Sequence, residues 1–144
     1  MIYVKRLTAR LVVLFVFIAV SVLPASSGAA RMDASEAHEL AMRGDIVLID
    51  VRTPDEWANT GIGASAQPVS MHLPGFFKKI NKIVNGNKSQ TIALICASGA
   101  RSGRMQAELR KHGYTNIISV AEGMLGSSSG PGWLNSGLPV KDPG

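Results

Sequence analysis

The strongest constraint on this chain is the run Thr91-Ile-Ala-Leu-Ile-Cys96-Ala-Ser-Gly-Ala-Arg101-Ser102. Thr91 to Ile95 reads as a strand covered on both faces. Four small residues follow the cysteine, and the spacing predicts a helix from Arg101 to about His112, closed by Gly113. Small side chains let several backbone N–H groups converge on one point, and Gly99 permits a left-handed conformation. A helix N-terminus behind such a loop adds a positive dipole end, which favours a thiolate or a bound anion.

Cys96 is the only cysteine of the 144 residues. It therefore has no internal disulfide partner and is either buried and inert, paired with another molecule, or reactive. The adjoining Ala97-Ser98-Gly99-Ala100 loop favours a reactive thiol. Arg101 and Arg104 fall in the first turn of the predicted helix, where cations face the positive end of the dipole. Such a breach of a local rule beside a candidate nucleophile points to an anionic substrate. The structural alternative is that both arginines turn to solvent or pair with nearby acids.

Organisation is read more easily once the first 30 residues are set apart. Lys5, Arg6 and Arg10 form a basic start, Leu11 to Leu23 is an apolar or small run, and small residues follow to Ala30. This is the pattern of a cleavable signal peptide with its site after Ala29 or Ala30. The apolar run is short for a membrane span, which needs roughly 20 residues, although an uncleaved anchor is the alternative. Residues 31–144 then form one domain, placed in the periplasm or outside the cell. Removing the three cations leaves 12 Lys and Arg against 10 Asp and Glu, too small an excess to indicate nucleic acid. A membrane partner is expected only through an uncleaved signal.

Within the domain, Asp33 and Glu36 have capping-box spacing before a helix over Ala34 to Met42, and Gly44 should stop it. Ile46 to Asp50 reads as a second covered strand. Thr53-Pro54-Asp55-Glu56 opens a short helix through Asn59, with Thr53 as cap. Thr60 to Ser65 reads as a loop, Gln67 to Ser70 as a short strand, and Gly75 to Val84 as an amphipathic helix. Ile117 to Val120 is a further strand, and Gly126 to Gly132 is turn-forming sequence. Strands alternating with helices in a short domain indicate a parallel α/β sheet with helices on both faces, whose ligands sit beyond the carboxyl ends of the strands. Scattered histidines and a lone cysteine provide no metal-ligand spacing, and no cofactor is expected.

Leu48-Ile-Asp-Val-Arg52-Thr-Pro-Asp-Glu-Trp57, Cys96-Ala-Ser-Gly-Ala-Arg-Ser102, Gly113-Tyr-Thr-Asn-Ile and Gly137-Leu-Pro-Val140 together resemble a single-domain rhodanese. The resemblance implies a five-stranded parallel sheet. It also implies a sulfurtransferase in which Cys96 takes sulfane sulfur from a donor such as thiosulfate and passes it, as a persulfide, to cyanide or a thiol. The acceptor thiol could be carried by a protein. Ala97, Ser98, Gly99, Ala100, Arg101 and Ser102 would form the persulfide loop, with Arg104 a candidate substrate cation and the cations drawing in the anionic donor. Related phosphatases and arsenate reductases place five residues between cysteine and arginine; four here suit a sulfur atom. In the resembling family, Asp50 and Arg52 form a structural ion pair, and a charged pair beside an apolar strand must be paired to be tolerated. A non-catalytic persulfide carrier or binding module is the alternative function. The chain departs from the family at Gly61-Ile62, where many members have a histidine before the isoleucine. It departs again at Glu122-Gly123-Met124 in place of Glu-Gly-Gly, and in the Gly126 to Gly132 stretch, which is expected near the mouth of the site.

Overall fold

The computed structural model describes residues 29–144. The basic and apolar parts of the expected signal peptide lie outside that range. Among the described residues, no helix is long and apolar enough to cross a membrane.

The elements follow in the order β1 (Arg31–Met32), α1 (Ala34–Arg43), β2 (Val47–Asp50), α2 (Pro54–Thr60), β3 (Ile62–Gly63), β4 (Gln67–Pro68) and α3 (Phe76–Ile83), then β5 (Ile92–Ile95), α4 (Ala100–Lys111), β6 (Ile117–Val120), α5 (Gly132–Asn135) and β7 (Val140–Lys141). Five strands form one parallel sheet in the order β1-β6-β5-β2-β4. The two remaining strands pair antiparallel, Ile62 with Lys141 and Gly63 with Val140. Thr60 to Ser65 is thus not wholly a loop, as the sequence suggested. Its strand character comes from the tail that covers it.

Side-chain alternation divides the core. Leu48, Ala93, Ile95 and Val120 face α1 and the Trp57–Trp133 cluster. Ile49, Ile92, Leu94, Cys96 and Ile117 face the buried sides of α3 and α4, including Phe76, Ile80, Met105 and Leu109. The period of two along β5 therefore places Cys96 on the α3–α4 side, one residue past the strand. Asp50 ends the neighbouring strand β2, paired with Ile95.

The helix ends follow the local sequence. The Asp33 carboxylate accepts from the Glu36 N–H, and Gly44 closes α1 at φ 78°. Thr53 and Glu56 cap each other reciprocally at the start of α2. Helix α3 runs from Phe76 to Ile83 with Gly75 and Val84 as its flanking caps, and α4 begins one residue earlier than expected, at Ala100.

Candidate active site

The loop after β5 wraps around the sulfur. Cys96 Sγ accepts hydrogen bonds from the N–H groups of Gly99 at 3.2 Å and Ser102 at 3.4 Å. Ser102 Oγ lies 3.6 Å from the sulfur, donates to the Gly99 carbonyl at 3.0 Å and meets Ser119 Oγ at 2.8 Å. The side chain is only 1% exposed. Burial pushes the thiol pKa up, but the Ser102 amide and hydroxyl, with the Ser98 and Gly99 amides, outweigh it. The thiol is held below its ordinary value.

Two glycines make this loop fit. Gly99 has φ 91°, and a Cβ there would overlap the Ala121 carbonyl oxygen. Gly123 has φ 70°, and a Cβ there would run into the Ala97 carbonyl. The segment after β6 can consequently lie against the cysteine loop, with Met124 N–H donating to Cys96 O at 2.8 Å and Leu125 N–H to Ala97 O at 2.9 Å. Glu122, of the departing Glu-Gly-Met sequence, is buried and accepts from the Ala34 N–H at 2.6 Å and the Gly132 N–H at 3.0 Å. It anchors this support to α1 and α5.

Arg101 does not reach toward the sulfur as an open cation. Its Nη1 donates to Glu56 Oε2 at 2.8 Å while Nη2 binds Oε1 of the same carboxylate, and His72 Nε2 lies 3.5 Å from Nη1. The Arg101 guanidinium holds the Glu56 carboxyl at about 2, assisted by Thr53 and opposed by partial burial. Arg101 was expected to draw in an anionic donor; here the fork that suits an incoming anion is engaged by Glu56.

Arg104 is the fifth residue of α4. It is exposed and lines a cavity of about 580 Å³ with Arg31, Ser98 to Ala100 of the cysteine loop, and the Ser127–Ser129 turn. The buried Cys96 is not part of that lining. Ser127 to Ser129 of the Gly126 to Gly132 stretch border the same cavity, with Ser127 Oγ donating to Ala121 O at 3.1 Å.

Asp50 and Arg52 are 0% and 1% exposed. Arg52 Nε contacts both Asp50 oxygens at 3.0 and 3.1 Å, and Nη2 contacts Oδ2 at 2.7 Å. The guanidinium also donates to Thr60 Oγ1 and the Gly61 carbonyl, each at 2.8 Å. The pair joins the end of β2 to the end of α2, and the Gly61 that replaces a frequent family histidine supplies one of its acceptors through the backbone.

The sequence reading assigns neither Glu56 nor Ser119 to the site. The first has a second partner 45 residues away, which no local spacing reveals. The second carried a signal: Ser119 is a hydroxyl inside the apolar strand Ile117-Ile-Ser-Val120, and a buried hydroxyl needs a partner.

The fold and site together are a parallel α/β sheet that carries an amide-cradled cysteine of lowered pKa just past a central strand. Residues 33–128 match the rhodanese-like domain family, and the chain belongs to that family. A sulfurtransferase from Allochromatium vinosum is 31% identical over 109 residues, covering 76% of this chain and 91% of that protein. The thiosulfate:glutathione sulfurtransferase of Saccharomyces cerevisiae is 34% identical over 79 residues, covering 50% of this chain and 57% of that protein. Among solved structures, the polysulfide-sulfur transferase homodimer from Wolinella succinogenes aligns with a TM-score of 0.60 at 26% identity, covering 79% of each chain. The parallel five-stranded sheet read from the resemblance is the observed one.

Proposed function

We propose that the protein moves sulfane sulfur through a persulfide on Cys96, from a donor such as thiosulfate to cyanide or a thiol. The observation that carries this reading is the sulfur held by the Gly99 and Ser102 amides in a loop with four residues before Arg101. The Cys96 thiolate attacks the outer sulfur of thiosulfate; a new S–S bond forms, the old one breaks, and sulfite leaves with its electron pair. The terminal sulfur of the persulfide then carries the negative charge, and backbone N–H groups are suited to stabilise it. Cyanide attacks that sulfur, thiocyanate leaves, and the thiolate is restored. An acceptor thiolate would react in the same way to become a persulfide.

The test is thiocyanate formation from thiosulfate and cyanide, with mass spectrometry of the intact protein after donor alone. Wild type should gain one sulfur atom and turn over, and Cys96→Ser should do neither. Equal turnover by the two proteins would remove Cys96 from the reaction. Sulfur bound to wild type without turnover would indicate a carrier.

Export to the periplasm or beyond, after cleavage of the first residues, is part of the same proposal. The fold supports cleavage after Ala29 over cleavage after Ala30. The Ala30 carbonyl accepts from Ser119 N–H at 3.0 Å and from the buried Gln106 Nε2 at 2.8 Å, and these bonds vanish if Ala30 is removed. Mass analysis of the exported chain should find Ala30 at its start; Arg31 there, or an unprocessed chain, would reject this register.

A further inference from the structure

The charges around Cys96 cancel in pairs. Asp50 faces Arg52, and Glu56 faces Arg101, so the four groups sum to zero before the thiolate is counted. Arg101 is close enough to Cys96 to feel its charge. The exposed His72 stands beside Arg101 at the fork, and Thr53 beside Glu56. A doubly charged donor approaching the thiolate thus meets no unpaired cation among these residues. To recruit Arg101, it must first displace a carboxylate held through both oxygens, a charge-assisted geometry among the stronger available to side chains.

We infer that Glu56 is a specificity-determining residue, an internal anion that occupies Arg101 and sets the site to favour sulfane-sulfur donors of low charge over dianionic ones. The inference rests on the persulfide reading and deepens it by naming the donor class: neutral trisulfides and singly charged thiosulfonates ahead of thiosulfate. With thiosulfate or a thiosulfonate the thiolate bonds to the sulfane sulfur, the adjoining S–S bond breaks, sulfite or sulfinate leaves with the electron pair, and Cys96 becomes the persulfide. A trisulfide attacked at its central sulfur expels one thiolate in the same way but leaves Cys96 as a mixed trisulfide, seen by mass as an alkyldisulfanyl adduct; an added thiolate then takes the outer alkylthio group as a disulfide and frees the persulfide. In the loading step itself, the donors are distinguished by the charge they bring to the site. Glu56 is suited to this role because its position is fixed twice over. Its Oε2 accepts from the Thr53 N–H and Oγ1, each at 3.0 Å, which anchors the carboxylate to the start of α2 whether or not Arg101 is engaged.

The experiment is a charge ladder of donors: dimethyl trisulfide, methanethiosulfonate and thiosulfate. Rates of sulfur loading onto Cys96 are measured by intact mass, at a pH on each variant's thiolate plateau. Each rate is divided by that of 2-mercaptoethanol thiolate with the same donor, which removes differences in donor reactivity. Wild type should rank the donors in that order, and raising the ionic strength should narrow the gap. Glu56→Gln keeps an oxygen for Thr53 but discards the charge. It should speed thiosulfate loading about tenfold, methanethiosulfonate less, and dimethyl trisulfide not at all, the scale of one unit charge acting across a partly screened site. Glu56→Asp, which retains the charge, should retain the wild-type ranking. An unchanged ladder in Glu56→Gln, or an equal gain with the neutral donor, would overturn the inference. A wild-type ranking led by thiosulfate would overturn it without any variant. If no donor loads Cys96, the persulfide reading fails and this inference falls with it; loading without charge selectivity overturns this inference alone.

Discussion

Two arginine–carboxylate pairs lie near Cys96, and they are built for different work. Asp50 and Arg52 are two residues apart and almost fully buried, and Arg52 has neutral acceptors on Thr60 and Gly61 as well. Glu56 and Arg101 come from separate segments 45 residues apart, and their side chains are 31% and 20% exposed. A buried pair with every guanidinium nitrogen engaged has one arrangement, and loss of either partner leaves a charge without solvent. A partly exposed pair has water at its edge, so loss of either partner leaves the other as a solvated charge and costs the fold little. Scaffold and site are thus separated by burial, with the same two functional groups in each.

The largest expected effect breaks the buried pair. Arg52→Ala should cost about 3–5 kcal/mol, because Asp50 is left charged in the core. Denaturant unfolding would show it, and activity per folded molecule should fall little. A loss under about 1 kcal/mol would mean that water enters and solvates Asp50, placing this pair in the same class as the exposed one.

Arg101→Ala should give the opposite pattern. Stability should fall by no more than about 1 kcal/mol, whereas thiosulfate loading should fall roughly tenfold, because Glu56 then presents an unbalanced charge toward the thiolate. Donor kinetics set beside thermal melts decide this. A large melting loss with normal kinetics would show that Arg101 is scaffold.

Acid sharpens the comparison without mutation. The Glu56 carboxyl is lowered from 4.5 to about 2. Its contribution is fully present above the ordinary carboxylate value and is lost as pH falls from there through about 2. With solvent screening it amounts to about 1 kcal/mol. The difference in unfolding free energy between wild type and Glu56→Gln should therefore shrink over that interval. A difference that stays constant with pH would show that the carboxylate charge adds nothing to stability.

What was readable in advance follows from the range of the interactions. The strands β2, β5 and β6 are apolar runs covered on both faces, and α1 and α2 carry their caps within four residues, so local sequence contains the needed signal. The pairs β1–β6 and β3–β7 are two residues long; Arg31–Met32 and Ile62–Gly63 have no periodicity of their own and become strands only against distant partners. The cysteine loop was readable because the Sγ, the two donating amides and Ser102 lie within seven residues. The direction of Arg101 was not, since its position in a helix turn says nothing about which acid the fold brings to it. Glu56 was visible only for its local duty to Thr53.

Ser119 offers the finest test of how far the site extends behind the loop. The Ser102 hydroxyl has a single proton and three neighbours that can take it: the Gly99 carbonyl, Ser119 Oγ and, once ionised, Cys96 Sγ. When the sulfur is a thiolate, turning that proton to Sγ leaves Ser102 Oγ able to accept from Ser119, and the two bonds strengthen one another. Ser102→Ala should thus raise the thiol pKa, and Ser119→Ala should raise it less, since Ser119 acts only through Ser102. At a pH below the thiolate plateau, Ser119→Ala should slow sulfur loading about threefold, the scale of a lost or weakened hydrogen bond. Above the plateau its rate should match wild type, because the thiolate is then fully formed in both. Ser119→Thr, which retains the hydroxyl, should recover part of the loss. A rate deficit in Ser119→Ala that persists at high pH would show that the hydroxyl serves loop packing, and would end the role of Ser119 at the strand.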